Sequence, residues 1–109
     1  MQEEMHYKLL RLLETQPGMS QREAARALGI SLGKLNYCVQ ALIYKGWIKA
    51  ARFKNNRNKK AYMYLLTPRG IEEKSRLTVR FLQIKMREYE TLRAEIEQMS
   101  EEAARHGLQ

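Results

Sequence analysis

Residues that enzymes depend on are scarce in this 109-residue sequence. It contains no aspartate, one cysteine (Cys38) and two histidines, His6 and His106, which lie at opposite ends of the chain. Catalysis by proton transfer and metal binding both need several such groups close together, so the sequence predicts neither an enzyme nor a metal or cofactor site. A lone cysteine also indicates a reducing compartment. Cys38 itself is expected to be a small buried side chain.

Long apolar runs are also missing. No segment approaches the roughly 18 apolar residues that a membrane span requires, and the first residues, MQEEMHYK, do not resemble a signal peptide. We therefore expect a soluble, cytoplasmic protein that does not contact a membrane. The length allows one small domain with an appendage, and we place the division at residues 1–70 and 71–109.

Residues 20–46, SQREAARALGISLGKLNYCVQALIYKG, predict two short helices joined by a tight turn. Ser20 is placed to cap the first helix, and Glu23 completes a capping box three residues later. Gly29 permits the left-handed backbone of a sharp helix exit, and Ser31 caps the second helix. So short a connection makes the helices cross steeply, which is the geometry of a helix-turn-helix.

The second of these helices divides into two faces at 100° per residue. The predicted core face consists of Leu32, Leu35, Cys38, Val39, Leu42 and Ile43. The predicted DNA-reading residues are Ser31, Gly33, Lys34, Asn36, Tyr37 and Gln40. The amides of Asn36 and Gln40 can pair with adenine, Lys34 suits guanine or phosphate, and Gly33 allows close approach. The alternative is an ordinary solvated amphipathic helix.

Positive charge is concentrated in the first part of the chain. Residues 1–70 hold 13 basic and 4 acidic residues, whereas residues 71–109 hold 7 and 8. The densest run, Arg52 to Lys60, has five cations and no acid, which favours a polyanionic partner such as nucleic acid over a merely solvated loop. The predicted contacts in this run are Arg52, Lys54, Asn55, Asn56, Arg57, Asn58, Lys59 and Lys60. At the start of the first motif helix, Ser20, Gln21 and Arg22 are predicted to lie near phosphate.

The basic run lies between two predicted strands, 47–53 and 61–66, which are rich in aromatic and branched residues. A further helix over about residues 3–14 precedes the motif, so the order is three helices and then a hairpin. We therefore predict a mostly α fold with a small β-hairpin wing, that is, a winged helix-turn-helix plus a long C-terminal helix.

The C-terminal segment predicts one continuous helix. From Arg69 to Ala104 there is no proline and, after Gly70, no glycine, which gives a helix about 50 Å long. Its apolar residues follow alternating steps of three and four, with Lys85 the one polar member, over about three heptads. We predict that this stripe forms a homodimer, although a cap folded back on the same chain, a trimer and a contact with another protein remain alternatives. The predicted dimerisation residues are Leu82, Tyr89, Leu92, Ile96 and Met99.

The sequence resembles the winged helix-turn-helix of MarR-type regulators over almost all of residues 2–97. The run GKLNYCVQALIYKGWIKAARFKNNRNKKAYMYLLTPRGIEEK is most similar to the exopolysaccharide-associated MarR-family regulators of bacteria. This resemblance implies a transcriptional regulator that binds double-stranded operator DNA near polysaccharide-synthesis genes. It also implies that residues 31–40 are the recognition helix and residues 52–60 the wing.

One departure from the family limits what the resemblance implies. MarR proteins usually carry a long N-terminal dimerisation helix, but here about 20 residues precede the motif, so dimerisation is expected to fall on the C-terminal helix. No effector site is carried over from the family, and the sign of regulation stays open. The alternative function is a winged-helix module that binds protein or RNA and uses the C-terminal helix as its main surface.

Overall fold

The computed structural model describes residues 2–53 and 61–107. Four helices and one hairpin follow one another in these ranges: α1 (Gln2–Thr15), α2 (Gln21–Leu28), α3 (Leu32–Tyr44), β1 (Ile48–Phe53), β2 (Ala61–Leu66) and α4 (Pro68–Arg105). The strands pair antiparallel, with Ile48 opposite Leu66 and Phe53 opposite Ala61. The predicted fold class, mostly α with a hairpin and a long last helix, is confirmed.

The turn between α2 and α3 is built as the sequence predicts. The Ser20 hydroxyl accepts from the backbone N–H of Glu23 at 3.1 Å, and the Glu23 carboxylate accepts from the N–H of Ser20 at 3.1 Å. Gly29 adopts a left-handed conformation, with φ of 69°, where a side chain would add strain. Ser31 then caps α3 by accepting from the N–H of Lys34 at 3.1 Å. These local contacts restrict the helix-turn-helix to three turn residues.

A second corner joins α3, the hairpin and α4. Gly46 has a positive φ of 75°, and the next N–H, of Trp47, donates to the carbonyl of Leu42 at 3.0 Å. Thr67 caps α4 by accepting from the N–H of Gly70 at 3.0 Å, and its own N–H donates to the carbonyl of Trp47 at 2.9 Å. A Cβ at Gly70 would lie 1.9 Å from that carbonyl oxygen, so only glycine permits this approach. The start of α4 is therefore fixed to the strand that precedes the wing.

The core lies where α1, α2, α3, the hairpin and the first turns of α4 meet. The buried apolar residues here are Leu9, Leu10, Leu13, Ala24, Ala25, Leu35, Cys38, Val39, Leu42, Trp47, Ile48 and Leu77. The predicted core face of α3 is confirmed at four positions. Ile43 is half-buried, and Leu32 is 42% exposed because it begins the helix at the rim of this core.

One polar residue, His6, is buried in this core among the residues that the structure describes. Its ring lies edge-on to the indole of Trp47, with 6.4 Å between the ring centroids. Burial, helped by the positive charge of Lys45 and opposed by Glu3, lowers the pKa of His6 below its usual value of 6.5. A neutral imidazole is therefore favoured at neutral pH, and it packs as part of the apolar interior.

The chain divides into two compact units, residues 1–77 and 78–109. The first unit contains the helix-turn-helix and the hairpin strands. The second consists of the rest of α4, in which Lys85 pairs with Glu88 at 3.3 Å, and Arg93 lies 3.9 Å from both Glu90 and Glu97. Such exposed pairs within one helix contribute only about 0.3–0.5 kcal/mol each, and so they support the helix weakly.

Candidate nucleic-acid interface

The outer face of α3 carries the predicted reading residues. Gly33, Lys34, Asn36, Tyr37 and Gln40 are all exposed, and so is the capping residue Ser31. The opposite face is buried, as described above. This division confirms the predicted two-sided helix, and it leaves two amides, a lysine and a phenol pointing outward.

A chain of side-chain hydrogen bonds connects this face to the rest of the unit. The Asn36 amide nitrogen donates to the Gln21 amide oxygen at 3.1 Å. The Gln21 amide nitrogen in turn donates to the Tyr64 hydroxyl at 2.9 Å. The three side chains come from α3, the first turn of α2 and β2. The structure therefore brings together two predicted site residues and one, Tyr64, that the sequence analysis missed.

Tyr64 was missed because its partner is 43 residues away in the sequence. The available signal was chemical rather than positional, since a tyrosine on a half-buried strand usually finds a hydrogen-bond partner for its hydroxyl. Nothing in the sequence identifies that partner as Gln21. Tertiary packing alone brings the two together.

The three residues predicted to contact phosphate at the start of α2 differ in how far their polar groups are already hydrogen-bonded within the protein. Ser20 uses both its hydroxyl and its backbone N–H in the capping box. The amide of Gln21 has hydrogen-bond partners at both its oxygen and its nitrogen. Arg22 is exposed and carries a positive charge. Because the hydrogen bonds from Ser20 lower the pKa of Glu23, a carboxylate charge lies in this same turn. Of the three, Arg22 is the best suited to attract phosphate.

The wing is only partly covered by the described residues. Arg52 is exposed near the end of β1 and pairs across the hairpin with Tyr62. The other predicted wing contacts, Lys54, Asn55, Asn56, Arg57, Asn58, Lys59 and Lys60, lie outside the described residues. Their contribution to a nucleic-acid surface stays a prediction.

Cys38 lies on the buried side of α3 and is 4% exposed. Burial raises the pKa of its thiol, and the nearby charge of Lys34 only partly offsets this effect. The thiolate form, which reacts with oxidants and metals, is therefore disfavoured. This position confirms the expectation that Cys38 is a small buried side chain.

The described residues contain no candidate metal centre and no candidate membrane span. Within 2–53 and 61–107, no three histidine, cysteine or glutamate side chains are grouped closely enough to hold a metal ion. The helices in those same ranges are too polar or too short to cross a bilayer.

The second unit presents an apolar stripe along one side of α4. The predicted dimerisation residues Leu82, Tyr89, Leu92, Ile96 and Met99 are between 54% and 68% exposed. Their spacing matches the first and fourth positions of successive heptads, as expected for a helix that pairs with another. So many large apolar side chains on a single helix favour an interaction surface.

Comparison with known proteins agrees with the helix-turn-helix of the first unit. Residues 2–49 match the model of a family described as winged helix-turn-helix DNA-binding. That match covers α1, α2, α3 and the beginning of β1. No curated protein matches the sequence.

Three solved structures illustrate the likeness in fold. MarR from E. coli in its apo form is 24% identical, with a TM-score of 0.56, over 66% of this chain and 52% of that one. FabT from Streptococcus pneumoniae, solved in complex with DNA, is 19% identical, with a TM-score of 0.59, over 77% and 57% of the two chains. The transcriptional regulator SlyA is 19% identical, with a TM-score of 0.69, over 93% and 70%.

This chain spans little more than half the length of the MarR and FabT chains. At these identities the likeness establishes architecture. The described residues fold as a winged helix-turn-helix of the kind found in MarR-type regulators, continued by a long C-terminal helix.

Proposed function

We propose that this protein is a transcriptional regulator that binds double-stranded DNA sequence-specifically as a homodimer. The observation that carries this proposal is the outer face of α3, where the amides of Asn36 and Gln40 and the amine of Lys34 are exposed while the opposite face is buried. An α-helix fits the major groove, and amides on its outer face can pair with base edges there. FabT, which shares the fold, was solved bound to DNA.

Charge supports a nucleic-acid partner. Residues 1–70 carry a net charge of +9, and five of their basic residues fall in the run from Arg52 to Lys60. In this proposal α3 enters the major groove, Arg52 and the rest of the wing contact the backbone or minor groove beside it, and Arg22 contacts phosphate. Phosphate contacts supply affinity for any sequence, whereas base contacts supply discrimination between sequences.

The resemblance of residues 33–74 to exopolysaccharide-associated regulators points to polysaccharide-synthesis genes as the target, in the cytoplasm.

The homodimer is proposed to form through α4. Leu82, Tyr89 and Ile96 would occupy the first heptad position, and Leu92 and Met99 the fourth. The flanking charges favour parallel over antiparallel pairing. Glu88, Glu95 and Glu102 share the seventh position, which faces its own counterpart in an antiparallel pair and would place glutamate against glutamate.

In a parallel pair, Glu88 instead lies across from Arg93 of a second copy, five residues further on. In a single chain Arg93 lies 3.9 Å from Glu90 and from Glu97, and Glu88 lies 3.3 Å from Lys85. Because exposed pairs of this kind are weak, exchanging them costs little. Parallel helices would also attach both reading units at the same end of the pair. Two reading helices related by a two-fold axis fit a symmetric operator.

The salt dependence of DNA binding tests this function. For a dimer that contacts six to ten phosphates, log affinity is expected to fall with log salt at a slope of roughly −5 to −9. Asn36→Ala or Gln40→Ala should cost about 1–3 kcal/mol on the duplex most enriched from a random pool and nothing on a scrambled duplex. The joint change Lys59→Ala and Lys60→Ala should weaken both duplexes equally and flatten the slope. Fluorescence anisotropy at several salt concentrations measures all of these quantities.

The matched control for the wing variant is Arg87→Ala with Arg105→Ala, which removes two positive charges from outer positions of α4 and should leave the slope unchanged. Affinity that is indifferent to salt contradicts the proposal. So do equal losses on the enriched and scrambled duplexes from the α3 variants. Tighter binding to single-stranded RNA than to duplex DNA would favour the alternative module.

Gly33→Ala is expected to change stability and DNA affinity in opposite directions. A Cβ built at Gly33 meets nothing within 4 Å, so the variant should gain up to about 1 kcal/mol of helix stability. The same methyl group would stand between α3 and a base edge or phosphate, and affinity for the enriched duplex should fall. Urea unfolding and anisotropy measure the two effects. Gly18→Ala also meets open space but lies in the α1–α2 turn, and it should leave DNA affinity unchanged. Unchanged affinity for Gly33→Ala would show that the duplex does not approach this position closely.

The dimer is tested by placing charge in the stripe. Leu92→Lys with Ile96→Lys should give a monomer that still folds but binds a symmetric duplex weakly, because two lysines at neighbouring heptad positions cannot be buried together. Sedimentation velocity measures the mass. Ala94→Lys with Gln98→Lys adds the same charge on the outer side and should stay dimeric. A dimer that persists in the first variant would show that the stripe is not the interface.

A further inference from the structure

Gln21 lies at the centre of a three-part contact within the first unit. Its amide oxygen accepts from Asn36 at 3.1 Å, and its amide nitrogen donates to the Tyr64 hydroxyl at 2.9 Å. Gln21 and Tyr64 are half-buried, whereas Asn36 is exposed on the outer face of α3. The contact therefore runs from a partly buried anchor on β2 to a solvent-facing amide.

The anchor is itself held on a second side. The backbone N–H of Tyr64 donates to the carbonyl of Pro17, in the α1–α2 turn, at 3.2 Å. Tyr64 thus contacts the segment that leads into α2 through its backbone and the first residue of α2 through its side chain. Strand β2, which leaves the wing, is in this way tied to the start of the helix-turn-helix.

The direction of these hydrogen bonds determines what Asn36 can offer to a ligand. A side-chain amide has two N–H donors and one oxygen with two lone pairs. One N–H of Asn36 is taken by Gln21, which leaves the other N–H and the oxygen. One donor beside one acceptor is the pair that recognises adenine, whose major-groove edge presents N7 and the N6 amino group.

We propose that Gln21 and Tyr64 are positioning residues that hold the Asn36 amide in the orientation needed to read adenine. This inference rests on the proposed function, because it assigns the specificity of the same α3 face. An exposed asparagine otherwise rotates freely and must be ordered when it binds, at a cost in side-chain entropy. Fixing the amide in the free protein reduces that cost.

The same contacts make a direct phosphate contact by Gln21 less favourable. One N–H of its amide donates to Tyr64 and its oxygen accepts from Asn36, which leaves one N–H, and the Glu23 carboxylate in the same helical turn repels phosphate. The proposed role of Gln21 is therefore to act on DNA through Asn36. It follows that losing Gln21 or the Tyr64 hydroxyl affects base discrimination and leaves general affinity intact.

The experiment compares Gln21→Ala, Tyr64→Phe and Asn36→Ala in the full chain. The probes are the most enriched duplex, the same duplex with each adenine pair replaced in turn, and a scrambled duplex. Gln21→Ala and Tyr64→Phe should each weaken binding to the enriched duplex about 2- to 10-fold, as expected for loss of a hydrogen bond. Both should reduce discrimination at the adenine pair that Asn36→Ala identifies, with unchanged binding to the scrambled duplex and an unchanged salt slope.

The double variant provides the decisive comparison. If Gln21 acts through Asn36, then Gln21→Ala with Asn36→Ala binds no worse than Asn36→Ala alone. Gln16→Ala deletes the same chemical group as Gln21→Ala at an exposed position just after α1 and should change nothing. Additive losses in the double variant, or equal losses on all duplexes with a shallower salt slope, would overturn the proposal.

A measurement without DNA distinguishes failure of this inference from failure of the proposed function. In the free protein, the two side-chain amide protons of Asn36 should have separate NMR chemical shifts. These shifts should change in both Gln21→Ala and Tyr64→Phe. Unaltered Asn36 signals in both variants would refute the positioning contact itself. Altered signals in a protein that binds no duplex would leave the contact in place and refute both DNA reading and the adenine assignment.

Discussion

The exposed face of α3 that we propose reads DNA depends on the three-residue turn between α2 and α3. Gly29 reverses the chain in a left-handed conformation with φ of 69°, and Ser31 starts the next helix two residues later. Because the turn is so short, the burial of Ala24 and Ala25 on α2 also fixes which side of α3 packs inward. The exposed amides follow from that constraint. With a turn one residue longer, α3 could rotate about its own axis, and a different side of the helix could face the core.

Two further contacts connect this motif with the hairpin. Thr67 and Gly70 hold the start of α4 against Trp47, just before β1, and Tyr64 holds β2 against Pro17 and Gln21. The base of the hairpin and the middle of β2 are thereby tied to the helical core. Strands β1 and β2, held in this way, have a defined relation to α3, which the proposed DNA binding needs if groove and backbone are to be contacted together. Electrostatic attraction then depends on cations that the sequence concentrates in residues 52–60.

The parts of the structure that were predictable from sequence are those governed by local chemistry. Cap and turn residues have partners within a few positions along the chain. The capping box of Ser20 and Glu23, the turn at Gly29 and the cap at Ser31 all form as predicted. The long helix α4 followed from the absence of proline and interior glycine. Leu32 was less predictable, because periodicity assigns a face but cannot show where the core ends. The Tyr64–Gln21–Asn36 contact was beyond prediction, since its members are 15 and 43 residues apart and only packing brings them together.

The most direct measurement of the central claim is selection of binding sites from a pool of random duplexes with the intact protein. The account predicts an inverted repeat whose two half-sites are identical and separated by a fixed spacing of about one helical turn of DNA, with an adenine at an equivalent position in each half. The symmetry of the selected site would indicate pairing through α4, and the spacing would give the distance between the two α3 helices. The adenine would indicate recognition by the amide of Asn36. Enrichment of a single asymmetric half-site would contradict the paired arrangement, and no enrichment over the starting pool would contradict base reading by α3.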